Sequence, residues 1–302
     1  MPTAFTIVRW ARNRATSPPP TPHPRKLSCS LISRGGGVLL LACALLAAGS
    51  AQQPAPPPAP TPALQQRLLG AFQVDQRALL TYSHREHVTV VKDGKTQRTT
   101  TRVWYVHGRA VNETTARNGV PLTDSEQTLE HSYALKRAQA AAQRPAPPIG
   151  ELEFSGRSYP FSRLAHDYLF QPLATRLWNG RTTWVYEASP NPDAKARSRE
   201  EKLLLHSAGE VWVDVEDQHV VRIQIHATSP VRYGFGLLAV VHEADLLLEL
   251  QRIQPGVWLP QTTAFHAQAT VLMVDSIARA KEQLAYDYQP LEAARMEPLP
   301  GN

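Results

Sequence analysis

The sequence predicts a mainly β, α+β fold: a single antiparallel sheet with helices packed on it. Three observations predict it. From Tyr82 onward apolar and polar residues alternate over most of the chain, the period of a strand with one covered face. Short reversals at Asp93-Gly94, Asn118-Gly119, Asn179-Gly180, Asp217-Gln218 and Pro255-Gly256 separate the alternating runs. They leave no room for the dozen or more residues that a parallel connection needs. Helical patterns are confined to two regions, 62–80 and 123–142, so helices cover the sheet rather than alternate with its strands.

The chain of 302 residues carries 32 Lys and Arg and 26 Asp and Glu, a formal charge of +6. Arg9, Arg12, Arg14, Arg25, Lys26 and Arg34 fall in residues 1–51, which contain no acid, so the remainder is balanced. A neutral remainder without aromatic-basic interleaving argues against a nucleic-acid partner. Residues 1–51 have the three parts of a secretory signal: a basic stretch, the apolar run VLLLACALLAA from Val38 to Ala48, and the small residues Gly49-Ser50-Ala51. Cleavage after Ala51 is expected, giving an exported protein. A transmembrane helix needs about 20 apolar residues, and this run is shorter. A retained N-terminus or a lipid on Cys43, within LLAC, is the alternative, which would leave the protein membrane-anchored. Both cysteines, Cys29 and Cys43, lie in this segment, so the exported form would lack disulfides and thiolate ligands.

Residues 52–61 form an extended proline-alanine linker. Thr61-Pro62 then reads as a helix start, and Leu64, Leu68, Phe72 and Leu79 fall near one face of the helix that follows. Strands rich in Thr, Val and aromatics occupy 82–121. Thr123 with Glu126 three residues on is a capping box, opening a polar, alanine-rich helical insertion near 123–144 that RPAPP ends. The rest is mostly strand, for roughly eight to eleven in all. The fold would run over 62–292, with a disordered tail at 293–302.

The segment GEVWVDVEDQHVVRIQI, Gly209–Ile225, holds four acids, one histidine and one arginine. Alternation puts Val211, Val213 and Val215 on one strand face and Trp212 and Asp214 on the other; across the turn, Val221, Ile223 and Ile225 share a face. Asp214 and Arg222 would pair on the wet side of this hairpin, with Asp217 in its turn. Leu246, Leu248 and Leu250 extend the apolar face, followed by Val271 or Leu272 and by Val274. The candidate lining of that face is therefore Val211, Val213, Val221, Ile223, Ile225, Leu246, Leu248 and Leu250. A dry core and a ligand cavity are both open readings, because one sheet face must be covered in any case.

No catalytic constellation emerges, and neither an enzyme nor a cofactor is expected. His84 and His87 are three apart in a strand, so they point to opposite faces and cannot meet one metal ion. Tyr233–Ala239, YGFGLLA, holds a G-x-G without the third glycine or the strand-turn-helix setting of a dinucleotide site, and reads as a connection.

The order of GRTTWVYEASPNPDAKARSREEK, GEVWVDVEDQHVVRIQI, GFGLLA, LLLELQRIQPGVWLPQTTAF and a closing YDYQPL resembles the periplasmic lipoprotein-carrier superfamily, the LolA/LolB-like fold, over about 62–292. Strand order, turn placement and the tryptophans, Trp212 and Trp258 among them, carry the resemblance, and both tryptophans read first as packing residues. It implies an unclosed antiparallel half-barrel with helices packed on its concave face. It further implies a monomer that carries or senses lipoprotein acyl chains or another amphipathic lipid in the cell envelope, by non-covalent binding. Two other classes remain: an envelope structural or sensor protein that binds a protein partner without lipid, and a hydrolase with a dispersed site.

Overall fold

The computed structural model describes residues 55–92, 94–154, 157–272 and 275–291. The expected signal segment with Cys29 and Cys43, residues 52–54 of the linker, Asp93, Val274 and the tail at 293–302 lie outside the described residues. In chain order the elements are α1 (Pro62–Leu79), β1 (Tyr82–Lys92), β2 (Lys95–Val106), β3 (Arg109–Arg117), β4 (Val120–Pro121) and α2 (Asp124–Ala142). Then come β5 (Glu151–Phe154), β6 (Arg157–Pro160), α3 (Phe161–Asp167), β7 (Tyr168–Trp178), β8 (Arg181–Pro190) and α4 (Arg199–Leu204). β9 (Ser207–Asp214), β10 (Val220–Ala227), β11 (Val231–Tyr233), β12 (Ala239–Gln254), β13 (Val257–Val271) and β14 (Asp275–Pro290) complete the fold.

One 12-stranded sheet runs in the order β4-β3-β2-β1-β14-β13-β12-β10-β9-β8-β7, with β11 beside β12, and β5 and β6 form a separate hairpin. The pairs are antiparallel and the ends, β4 and β7, do not meet, so the architecture is an open half-barrel. The sheet has more strands than expected because the two-residue β4 and three-residue β11 are too short to show an alternating pattern. Asn-Gly reversals fold as their chemistry requires: Asn118 and Gly119 have φ of 52° and 82°, Asn179 and Gly180 of 49° and 77°. Those left-handed pairs match the right-handed twist of the flanking strands.

The concave face is covered by α1 and α3. Leu64 of α1, Phe161 of α3, Tyr186, Val213 and Val220 form its buried centre, with Leu68, Leu69 and Phe72 packed against it. The rings of Phe72 and Phe161 stack 4.2 Å apart and join the two helices. A polar anchor fixes α1: buried Asp75 accepts from the backbone N of Trp258 at 2.8 Å, and its other oxygen lies 2.8 Å from His219 Nδ1.

α2 takes the opposite face. Register runs Thr263–Gln283–Val88–Thr99 across β13, β14, β1 and β2. Thr101 and Val103 therefore share the concave side, and Trp104 points the other way. Ala134, Ala138 and Ala141 of α2 pack on Val111, Trp104 and Val106 there. The predicted capping box forms: Glu126 Oε2 accepts from Thr123 N at 2.9 Å, and Thr123 Oγ1 from Glu126 N at 3.4 Å. Thr123→Ala is expected to cost about 1 kcal/mol, read as a shift in urea midpoint. An unchanged midpoint would mean α2 is held by its alanine face alone.

The candidate ligand cavity

Between α1, α3 and the sheet lies a cavity of about 310 Å3. Six of the eight predicted lining residues meet there: Val211 and Val213 of β9, Ile223 and Ile225 of β10, Leu246 and Leu248 of β12. The register explains the grouping, since Ile223 stands opposite Val211 on one side and Leu248 on the other, and Ile225 opposite Leu246. Val221 and Leu250 stand elsewhere, buried with Val185, Trp212 and Trp258. The pairing of β9 with β10 slips between Val220 and Arg222, leaving Val221 as an extra residue. Such a bulge turns the alternation over, so Val220 takes the cavity position. A second slip follows Glu249, where Leu250 comes opposite Pro260.

Helical and edge residues complete the lining: Leu64, Leu68 and Leu69 from α1, Phe161 from α3, and Tyr168, Phe170, Tyr186 and Ala188 from β7 and β8. Alternation in TTWVYEA could have marked Tyr186 and Ala188, and the α1 stripe Leu64 and Leu68. The seven-residue α3 has no readable period.

The polar groups at the lining are few and mostly engaged. Tyr168 Oη donates to Leu204 O, and Tyr186 Oη donates to Pro58 O at 3.1 Å. Gln65 and Thr263 are the other polar side chains there. Burial pushes the Tyr186 phenol up to about 12, and burial, reinforced by the negative charge of Asp167, pushes Tyr168 higher. Folding therefore favours the neutral phenol. That contribution is complete below the unfolded value of about 10 and is lost as pH rises through the folded values. We expect the urea midpoint to hold to about pH 10 and fall above it; a level midpoint beyond that would contradict the burial of these phenols.

Glu216 of the Gly209–Ile225 hairpin faces water as expected, but Asp214, Asp217 and Arg222 do not. Asp214, fully buried, takes a two-point contact from Arg181 of β8, Nε at 2.6 Å and Nη2 at 2.8 Å. Arg222 does not pair with it, because the slip sets Arg222 opposite Trp212. Its guanidinium lies instead 4.7 Å from the Trp178 ring centre and 5.4 Å from that of Trp212. Asp217 accepts from Arg252 at 2.7 Å and from Trp258 Nε1 at 2.9 Å. Burial alone would raise its carboxyl, but those bonds and the charges of Arg252 and Arg181 hold it below the usual range. Trp212 and Trp258 are both buried, as packing residues.

Among the described residues, no group of three or more His, Cys, Asp or Glu could hold a metal, and no helix is long and apolar enough to cross a membrane.

Solved structures similar to the chain include a domain assigned to outer membrane lipoprotein sorting from Vibrio parahaemolyticus, 12% identical, covering 77% of this chain and 95% of that one with a TM-score of 0.32. A LolA superfamily protein from Nitrosomonas europaea is 10% identical, covering 76% and 94% with a TM-score of 0.30. A DUF1329 family protein from Desulfovibrio piger is 10% identical, covering 77% and 94% with a TM-score of 0.33. These include the superfamily that the sequence resembles. No protein-family model matches the chain, and no curated protein matches it.

Proposed function

We propose that the protein is an exported, periplasmic carrier that binds the acyl chain of a lipid or lipoprotein without covalent chemistry. The apolar cavity of about 310 Å3 under α1 and α3 carries this reading. Protein interiors are close-packed, so an apolar space of this size left between two helices and a sheet is where a ligand would fit. Its volume sits at the low end of small-ligand sites, about 300–1,000 Å3, which suits one chain. Each buried CH2 would stabilise the complex by about 0.8 kcal/mol. With its tyrosine hydroxyls bound to backbone carbonyls, the lining offers a ligand mostly hydrocarbon.

In this reading Val211, Val213, Ile223, Ile225, Leu246 and Leu248 form the floor and α1 the lid. Val221 and Leu250 support that floor from the adjoining cluster. Residues 1–51 direct export, and the monomer from residue 62 onward is the binding module. Release of cargo needs α1 to move, against the hold of Asp75 on His219 and Trp258.

Native mass spectrometry with lipid extraction, on protein purified without detergent from an envelope fraction, tests the proposal. Co-purified acylated species, together with uptake of a fluorescent fatty acid, are the expected result. A bare mass with no uptake would overturn it and favour an envelope protein whose partner is another protein.

A further inference from the structure

A second feature lies away from the cavity, at the end of the sheet where the β11–β12 connection meets Leu272, just past β13. Phe235 is fully exposed there, at 103% of its reference area, and Leu237, Leu238 and Leu272 are at least half exposed. The backbone N of Leu272 donates to Leu238 O at 3.1 Å, so Leu272 joins the β11–β12 connection in one knob. Phe235 adopts φ 57° and ψ 21°, a left-handed conformation that is an outlier for a bulky residue. The chain holds this ring out into solvent at a conformational cost.

Basic residues flank the knob. Tyr233, two residues before Phe235, donates its hydroxyl to Arg199 O at 2.9 Å, and Lys202 Nζ donates to Arg232 O at 2.7 Å. These bonds bring α4 and the segment before it against β11. A concavity beside the knob is lined by Arg197, Ser198, Arg199, Lys202 and Tyr233, with Glu200 as its acid. Arg197, Arg199 and Arg232 are exposed, and residues 231–240 contain no acid.

We propose that this end of the protein docks on an anionic phospholipid surface, with Phe235 and its leucine neighbours entering the acyl region and Arg197 and Arg199 meeting lipid phosphates. Size and shape favour a bilayer over a protein partner. A specific protein interface buries about 800 Å2 on each side with complementary shape, which four side chains on a convex knob cannot supply. A bilayer closes around an isolated knob and needs no matching surface. The flanking charge selects anionic lipid, whose surface attracts Lys and Arg within a Debye length. The inference stands apart from the acyl-carrier reading, since none of these residues lines the cavity.

The test is co-sedimentation of envelope-purified protein, its N-terminus set by intact mass, with vesicles of phosphatidylcholine alone or mixed with phosphatidylglycerol. Wild type is expected to prefer the mixed vesicles. Phe235→Asp should bind both about tenfold or more weakly; its exposed site and the tolerance of Asp for left-handed backbone protect folding. Arg197→Gln with Arg199→Gln should lose about fivefold per charge on mixed vesicles and nothing on phosphatidylcholine. All variants should keep wild-type fatty-acid uptake, which separates failure of this proposal from failure of the cavity reading.

If the N-terminal apolar segment is retained, a polarity-sensitive dye on Leu237→Cys, in a Cys29→Ser, Cys43→Ser background, reports the knob alone. Its emission should shift to the blue on mixed vesicles, and Phe235→Asp should abolish the shift. Equal behaviour of wild type and Phe235→Asp, or no preference for anionic vesicles, overturns the proposal. So does self-association without vesicle binding that Phe235→Asp removes, which would make the knob a contact between two copies.

Discussion

Ile223→Arg is expected to abolish fatty-acid uptake, by roughly hundredfold or more, while Gln224→Arg stays near wild type. Ile223 lies between Val211 and Leu248 in the sheet, and all three line the cavity. An arginine there puts an unpaired cation among hydrocarbon, and an uncompensated buried charge costs several kcal/mol. At 1.4 kcal/mol per tenfold that exceeds two decades of affinity. Gln224, the next residue, is exposed on the opposite face, opposite Glu210 and Leu247. An arginine there adds a charge in water beside an acid. Loss of fold is checked by the urea midpoint. Ile223→Trp supplies an uncharged comparison, because it fills the cavity without burying charge and should still weaken binding of long chains. Equal uptake by the two arginine variants would show that the ligand does not lie on this face.

Much of the fold was legible because strand alternation and turn chemistry are local. Leu246 and Leu248 needed only period two, the Asn-Gly reversals only their backbone preference, and α2 only its capping box. What failed to show was set at a distance or by a single inserted residue. The bulge at Val221 has no residue-type signature, since it lies in an unbroken Val-Val-Arg run, so alternation favoured Val221 over Val220. The reverse-face position of α2 follows from which side of β2 and β3 its alanines meet, and an alanine-rich helix has no large apolar stripe to declare it. The closing of β14 onto β1, Tyr82 opposite Pro290, joins the two ends of the domain, which no short pattern reveals. Tyr186 stands opposite Val211 and follows the alternation of TTWVYEA, whereas Tyr168 opens the edge strand β7, where only the strand order brings it to the lining.

Asp214→Ala shows the same limit in energetic form. Read locally, Asp214 is one charge on the wet side of a hairpin, within reach of Arg222, and an exposed pair of that kind contributes about 0–1 kcal/mol. In the structure it is fully buried, holds Arg181 through two hydrogen bonds, and accepts the backbone N of Asp217 at 2.8 Å. Arg181 in turn reaches Glu216 at 2.9 Å, and Asp217 holds Arg252 and Trp258, so the reversals after β7, β9 and β12 are tied into one network. Arg181 is about a quarter exposed and keeps Glu216 and Asp217 as partners, so the loss should lie between the 0–1 kcal/mol of an exposed pair and the 3–5 of a fully buried one, at about 2 kcal/mol. The measurement is a urea midpoint that falls with the slope unchanged. The depressed carboxyl of Asp217 adds a pH signature: its contribution is full above the ordinary value of about 3.9 and fades as pH falls through the lower folded value. Asp217→Asn should therefore narrow the gap between stability at neutral pH and in acid. A loss under about 1 kcal/mol for Asp214→Ala would mean that water screens the network after all, and that the charges of this hairpin have no structural role beyond solubility.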